Sequence, residues 1–156
     1  MKVRELITKP VQTIPRDHTL KDAARLMWDF DIGAVPVVDH HGRVEGMITD
    51  RDIAMAAFLN HSQLAHLEVW QSMSSMLVTI GPDESVSRAL ELMTDFQVRR
   101  LPVVDADLRP LGVLSVSDVI LRLASSTEPI PGVTSKEIVK VLAACSQPRL
   151  RIEFEE

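Results

Sequence analysis

The sequence predicts a mixed α/β (α+β) fold: two copies of one strand–helix–strand–strand–helix unit packed about a pseudo-twofold axis, followed by a short helix and strand. Three observations carry this expectation. The phrase VPVVDHHGRVEGMITDRDI, Val35 to Ile53, returns as LPVVDADLRPLGVLSVSDV, Leu101 to Val119, with Pro36, Asp39, Gly46 and Asp52 answered by Pro102, Asp105, Gly112 and Asp118 at one constant separation. The same separation holds upstream, where Thr13-Ile14, Leu26-Met27 and Asp29-Phe30 are answered by Thr79-Ile80, Leu92-Met93 and Asp95-Phe96. Each copy also passes from apolar residues at helical spacing to runs that are apolar on both faces.

In the first copy Val11 to Ile14 reads as a short strand ended by Pro15. Asp17 is placed to cap a helix from about Thr19 to Phe30, in which Leu20, Ala23, Ala24, Met27 and Phe30 share a face. Gly33 is expected to end that helix and open a buried strand from Ala34 to Asp39. His40 to Arg43 reads as a hairpin turn with Gly42 at the position that favours glycine, leading into a strand from Val44 to Thr49 and a helix from Asp50 to Leu59. The second copy repeats this order: Val86, Ala89, Leu90, Met93 and Phe96 on a helix, strands near Leu101 to Asp105 and Leu111 to Ser115, and a helix from Ser117 to Ala124.

The units so defined are residues 1–62, residues 63–125, and an extension over 126–156. A three-stranded sheet with two helices has too little core to stand alone at this size, so the halves are expected to pack together, with equivalent loops around shared clefts. In the extension Thr134 and Glu137 form a capping-box pattern before Ile138, Val141 and Leu142, and Leu150, Ile152 and Phe154 alternate with charged residues as in a half-buried strand.

Composition narrows the function. The 156 residues are 46% hydrophobic with a formal net charge of −5, enough apolar material for a core and the wrong sign for a broad DNA or membrane-lipid footprint. No apolar run reaches signal-peptide or transmembrane length, so a cytoplasmic location is expected. The single Cys145 excludes an intrachain disulfide and reads as a small apolar residue. No P-loop, dinucleotide fingerprint or marked nucleophile–base pair occurs, which argues against an enzyme. Asp39-His40-His41 falls on a turn, and His61 and His66 are spaced around a helix, so no metal site is expected. Trp28 is expected at a helix interface, and Trp70 beside a cleft-forming segment.

The chemistry concentrates where each second strand turns into a helix. GMITDRD (Gly46–Asp52) and GVLSVSD (Gly112–Asp118) both set a hydroxyl, Thr49 or Ser115, three residues before an aspartate, Asp52 or Asp118. Backbone N–H groups at a helix N-terminus, together with the hydroxyl, suit a phosphate, and an ionised carboxylate in the first turn suits the two adjacent hydroxyls of a ribose. The pair describes a nucleotide. The same spacing is also an ordinary helix cap, and both readings stand at this point.

The whole repeat, over about residues 1–124, resembles a tandem pair of cystathionine-β-synthase (CBS) domains, the arrangement called a Bateman module. GAVPVVDHHGRVEGMITDRDIA and VRRLPVVDADLRPLGVLSVSDVI carry the resemblance, with TIPRDHTLKDAARLM and TIGPDESVSRALELM before them. It resembles stand-alone bacterial CBS-pair proteins more than those fused to other domains.

The resemblance implies an adenosine-containing ligand, AMP, ADP or ATP first and NAD or S-adenosylmethionine as alternatives, with no required cofactor. One cleft would use Val113, Ser115, Ser117 and Asp118, with the base against Pro10, Gln12 and Ile32 and with Arg99 and Arg100 neutralising phosphates. The other would use Met47, Thr49, Arg51 and Asp52, with the base against Met76, Val78 and Val98 and with Gly33 and Ala34 in place of the arginines. That asymmetry favours phosphate binding on the Asp118 side, and Asp50, where the other half has Val116, is expected to repel a polyphosphate in the Thr49 cleft. The resemblance further implies a homodimer of modules stacked into a disc and an effector protein. The alternative is a structural interaction module that binds no nucleotide.

Overall fold

The computed structural model describes residues 1–7 and 9–147; the expected strand through Leu150, Ile152 and Phe154 lies outside them. The first half runs β1 (Ile14–Pro15), α1 (Leu20–Phe30), β2 (Ala34–Val38), β3 (Val44–Thr49) and α2 (Asp50–Asn60). The second runs α3 (Val86–Asp95), β4 (Arg100–Val104), β5 (Pro110–Ser115) and α4 (Val116–Ser125), followed by α5 (Ser135–Cys145). β2 pairs antiparallel with β3 and parallel with β1, and β4 pairs antiparallel with β5. In the second half the place of β1 is held by one parallel bridge, Ile80 to Val103. The registers correspond: Val37 faces Gly46 as Val103 faces Gly112, and both hairpins shift register one residue later.

Three local expectations are corrected. The first strand is Ile14–Pro15 and not Val11 to Ile14, since only these two residues align with Val37 and Val38 and the proline, which lacks an N–H, ends the ladder. The cap of α1 is Thr19 and not Asp17: the Thr19 hydroxyl accepts from the Asp22 N–H, and the Asp22 carboxylate accepts from the Thr19 N–H. Gly33 does not end α1. Asp31 does, in the left-handed region at φ 51°, and the Gly33 carbonyl instead accepts from Asp50 N–H at the start of α2.

The two cores are closed by exchange. Residues 1–7 leave the first half and pack on the second, where Val3 is fully buried with Val86, Met93, Leu101 and Leu114. Val3 N–H donates to Glu84 O, and Lys2 and Arg4 pair with Asp83. Conversely Leu67 and Val69 are buried in the first core with Leu20, Val35 and Ile48, and Leu20 N–H donates to Leu67 O at 2.8 Å. Full burial of a side chain such as Val3 or Val69 contributes about 1.5–3 kcal/mol, which each half receives from a segment that belongs to the other in sequence. Val38, Val44 and Val104 form a third cluster between the hairpins, and Val44 N–H donates to Leu108 O across the halves.

The helix α5 carries the expected Thr134–Glu137 capping box and adds Ile138 and Val141 to the second core, against α3 and α4. The matching helices of the first half, α1 and α2, keep an open groove of about 800 Å³. Trp28, expected within a helix interface, stands 87% exposed on its edge, because nothing comparable to α5 covers α1 within the described residues.

Candidate functional site

Each second strand feeds a helix through a capping box. In the first half the Thr49 hydroxyl accepts from Asp52 N–H at 3.2 Å and donates to Asp52 Oδ2 at 2.7 Å. In the second the Ser115 hydroxyl accepts from Asp118 N–H at 3.2 Å and donates to Asp118 Oδ2 at 2.6 Å, and Ser115 N–H donates to the same oxygen at 2.7 Å. The cap reading of these pairs is therefore realised in both. It does not exclude a ligand at Asp118, since both bonds to the carboxylate fall on Oδ2 and, among the described residues, Oδ1 takes no protein donor. The pattern alone marks no site, because Thr19–Asp22 and Thr134–Glu137 form it too. What separates the pairs is where the fold puts them.

Ser115 and Asp118 line a cavity of about 260 Å³ between the halves, just under the size of common ligand pockets. Ser117 and Val113 lie on the same wall, with Arg100 beside them. The opposite wall comes from the first half, from Pro10, Gln12 and Ile32, as the sequence grouped them. Val11 and Asp31 also line it, and sequence reasoning passed over both: Asp31 gives no motif signal, and its place follows from the left-handed turn after α1. Arg99 is exposed and is not on the lining; it contributes its carbonyl, which accepts from Val116 N–H at 3.0 Å.

Gly33 and Ala34, grouped in sequence with the Thr49 cleft, line this same cavity. Gly33 sits between two charges. A Cβ built on it would lie 3.2 Å from Asp50 Oδ2 and 3.4 Å from Arg100 Nη2. Asp50 was expected to act on the Thr49 cleft. The carbonyl of Gly33 takes the Asp50 N–H, and the Asp50 side chain lines the α1–α2 groove with its Oδ2 on one flank of Gly33 and Arg100 of the Asp118 cavity on the other.

The remaining candidates distribute around the other side. Met47 exchanges backbone hydrogen bonds with Ser74, which brings residues 73–76 beside β3. Met76 is exposed, Val78 and Val98 are partly buried against the second core, and Arg51 is exposed on α2 while Thr49 and Asp52 are half-buried. Trp70 is half-exposed and its indole N–H donates to Glu68. Asp39 closes the hairpin: its Oδ1 accepts from His41 and Arg43 N–H groups, and the Arg43 backbone donor is the largest cause holding its carboxyl below the usual range. Among the described residues no three His, Cys, Asp or Glu side chains gather as metal ligands would, and no helix is long and apolar enough to cross a membrane.

The lining sets two carboxylates, two hydroxyls and a guanidinium beside aliphatic side chains in one small slot, which suits recognition of a sugar and a flat base. The chain is similar to known proteins. The family model described as CBS domain matches residues 3–58 and 67–125. The CBS domain-containing protein YhcV of Bacillus subtilis is 35% identical over 124 residues, covering 80% of this chain and 86% of that protein. The CBS domain-containing protein DDB_G0289609 of Dictyostelium discoideum is 36% identical over 138 residues, covering 83% and 95%. Among solved structures, the CBS domain pair of protein MJ0100 in complex with 5′-methylthioadenosine and S-adenosyl-L-methionine is similar at a TM-score of 0.73 and 26% identity, covering 80% of this chain and 97% of that one.

Proposed function

This chain belongs to the CBS-domain family as a tandem pair, and from that premise we propose that it is a regulatory module that binds an adenosine-containing ligand in the Asp118 cavity and signals by a change of conformation or assembly. The observation that carries the reading is that one cavity collects Ser115, Ser117 and Asp118 from one half and Pro10, Gln12 and Ile32 from the other. A ligand there bridges the halves, and it shifts their arrangement to the extent that it binds one arrangement better. The MJ0100 pair, which holds two adenosine derivatives, supports the ligand class. The role is regulation rather than catalysis, in the cytoplasm, with no DNA or membrane partner.

Asp118 Oδ1 accepts from the ribose hydroxyls, the Ser117 hydroxyl and Arg100 meet the 5′ substituent, and Ile32 and Val113 sandwich the base. The signal passes to a second copy of the chain and on to an effector protein. Self-association uses the α1–α2 groove, since knob and groove lie on one face: exposed Trp28 edges a channel floored by Met27, Ile53 and Leu64, so a twofold axis seats each indole in the other copy's groove.

The test is thermal stability of nucleotide-free protein against AMP, ADP, ATP, NAD, 5′-methylthioadenosine and S-adenosylmethionine. A ligand at 100 times its Kd adds about 2.7 kcal/mol to the folded state. A selective rise supports the sensor. No rise with any compound overturns it in favour of the interaction module without nucleotide.

A further inference from the structure

We infer that Asp50, facing Arg100 across Gly33, makes the Asp118 cavity selective for adenosine ligands of low negative charge, a neutral or cationic adenosine derivative or a monophosphate, over the triphosphate. This rests on the adenosine reading of that cavity and names its ligand class.

Four facts carry it. The charged side chains on the cavity lining are two carboxylates, Asp31 and Asp118, against one guanidinium, Arg100. A third carboxylate stands near that guanidinium without forming an ion pair with it: Asp50 Oδ2 and Arg100 Nη2 flank Gly33, at 3.2 and 3.4 Å from the place of its missing Cβ. The second arginine, which would have restored a cationic phosphate site, is exposed and off the lining. The volume of about 260 Å³ suits a nucleoside with a small 5′ group better than a longer anionic tail.

The glycine is what permits this. A side chain at position 33 would press on both charged groups, whereas glycine lets Asp50 reach over from the first turn of α2. The Asp50 carboxylate is held there by Arg51 N–H, which donates to its Oδ1 at 2.7 Å and leaves Oδ2 toward Gly33 and Arg100. A polyanion drawn to Arg100 meets the negative field of Asp50 behind Gly33 and is repelled by the two lining carboxylates. A ligand without phosphate is spared that repulsion, and a cationic 5′ substituent gains from the same carboxylates.

The experiment is titration calorimetry of nucleotide-free protein with 5′-methylthioadenosine, S-adenosylmethionine, AMP and ATP, in the wild type, Asp50→Asn and Asp50→Ser. Asparagine keeps the acceptor for Arg51 N–H, and serine offers a second neutral residue at this exposed position. Expected is weaker ATP binding than that of the other three in the wild type. Both variants should raise ATP affinity about 3- to 10-fold while 5′-methylthioadenosine changes by less than about twofold, and the gain should shrink at high salt. A wild type that prefers ATP, or variants with an unchanged ratio of ATP to 5′-methylthioadenosine affinity, overturns the charge-selection inference and leaves the adenosine reading in place. Failure of all four compounds to bind folded wild type overturns the adenosine reading and this inference with it.

Discussion

Val3 and Val69 hold equivalent positions in opposite halves: each opens one repeat in sequence and is fully buried in the core of the other. The same relation extends to the bridges beside them, Lys2 with Ser85 and Glu68 with Thr19. The halves are therefore interlocked rather than merely in contact, and neither core is complete without a segment borrowed across the pseudo-twofold.

Val3→Ala should lower the unfolding free energy by about 2 kcal/mol, the cost of removing buried methyl groups from a packed site. Although Val3 opens the first repeat, the loss should appear first in the second: hydrogen exchange should quicken at 86–93 before it does at 20–27. Denaturant titration and exchange mass spectrometry check both points, and quicker exchange confined to 20–27 would contradict the interlock.

Asp118→Ala and Asp22→Ala remove the same capping-box partner from different places. Each should cost about 0.5–2 kcal/mol of stability. Only Asp118→Ala should also abolish binding of the adenosine ligand, because Asp22 is absent from the cavity lining. Melting curves and calorimetry on the two variants side by side separate cap from ligand contact.

Acid should loosen the N-terminal segment. Asp83 is held below the usual carboxylate range first by the Lys2 hydrogen bond and then by the charge of Arg4, and the Thr19 hydroxyl is the largest cause of the same direction at Asp22. A depressed folded value adds stability above the unfolded value and loses it as pH falls through the folded one, so the loss begins near pH 4 and deepens below it. Asp83→Asn should flatten part of that slope between pH 5 and pH 3 in denaturant titrations, by a small amount because the group is exposed.

Gly46→Ala should be more damaging than Gly112→Ala, although the two residues are repeat equivalents. A Cβ on Gly46 would meet the Ser74 carbonyl at 2.6 Å, which is fixed by the backbone hydrogen bonds between Ser74 and Met47, whereas on Gly112 it would meet Ile7 Cδ1 at 2.8 Å and Ile7 Cβ at 2.9 Å. Overpacking of this kind costs about 1–3 kcal/mol, and the Gly112 variant should sit lower in that range because Ile7 can move outward with the N-terminal segment that carries it. Melting temperatures of the two variants give the order.

The repeat, the order of elements and the capping hydroxyls were legible because each is written locally, in apolar spacing and in short polar signals at fixed offsets. Thr134 and Glu137 announce α5 as plainly as Thr49 and Asp52 announce α2. Even so, Thr19 took the cap from Asp17 and Asp31 took the helix end from Gly33, since neighbours a residue or two apart compete for the same backbone groups and only the folded chain settles which one closes the turn.

By itself the sequence determined that two equivalent units exist, that neither has core enough to stand alone and that a hydroxyl and an aspartate open the helix after each second strand. Only the tertiary structure decided which residues meet across the pseudo-twofold. It sent Val3 into the far core, put Gly33 and Ala34 on the Asp118 side, set Arg99 outside and brought Asp50 and Arg100 to opposite flanks of Gly33. These are contacts between segments remote in sequence, and their physical cause is the packing of one twisted hairpin layer on the other. No spacing along the chain encodes that packing.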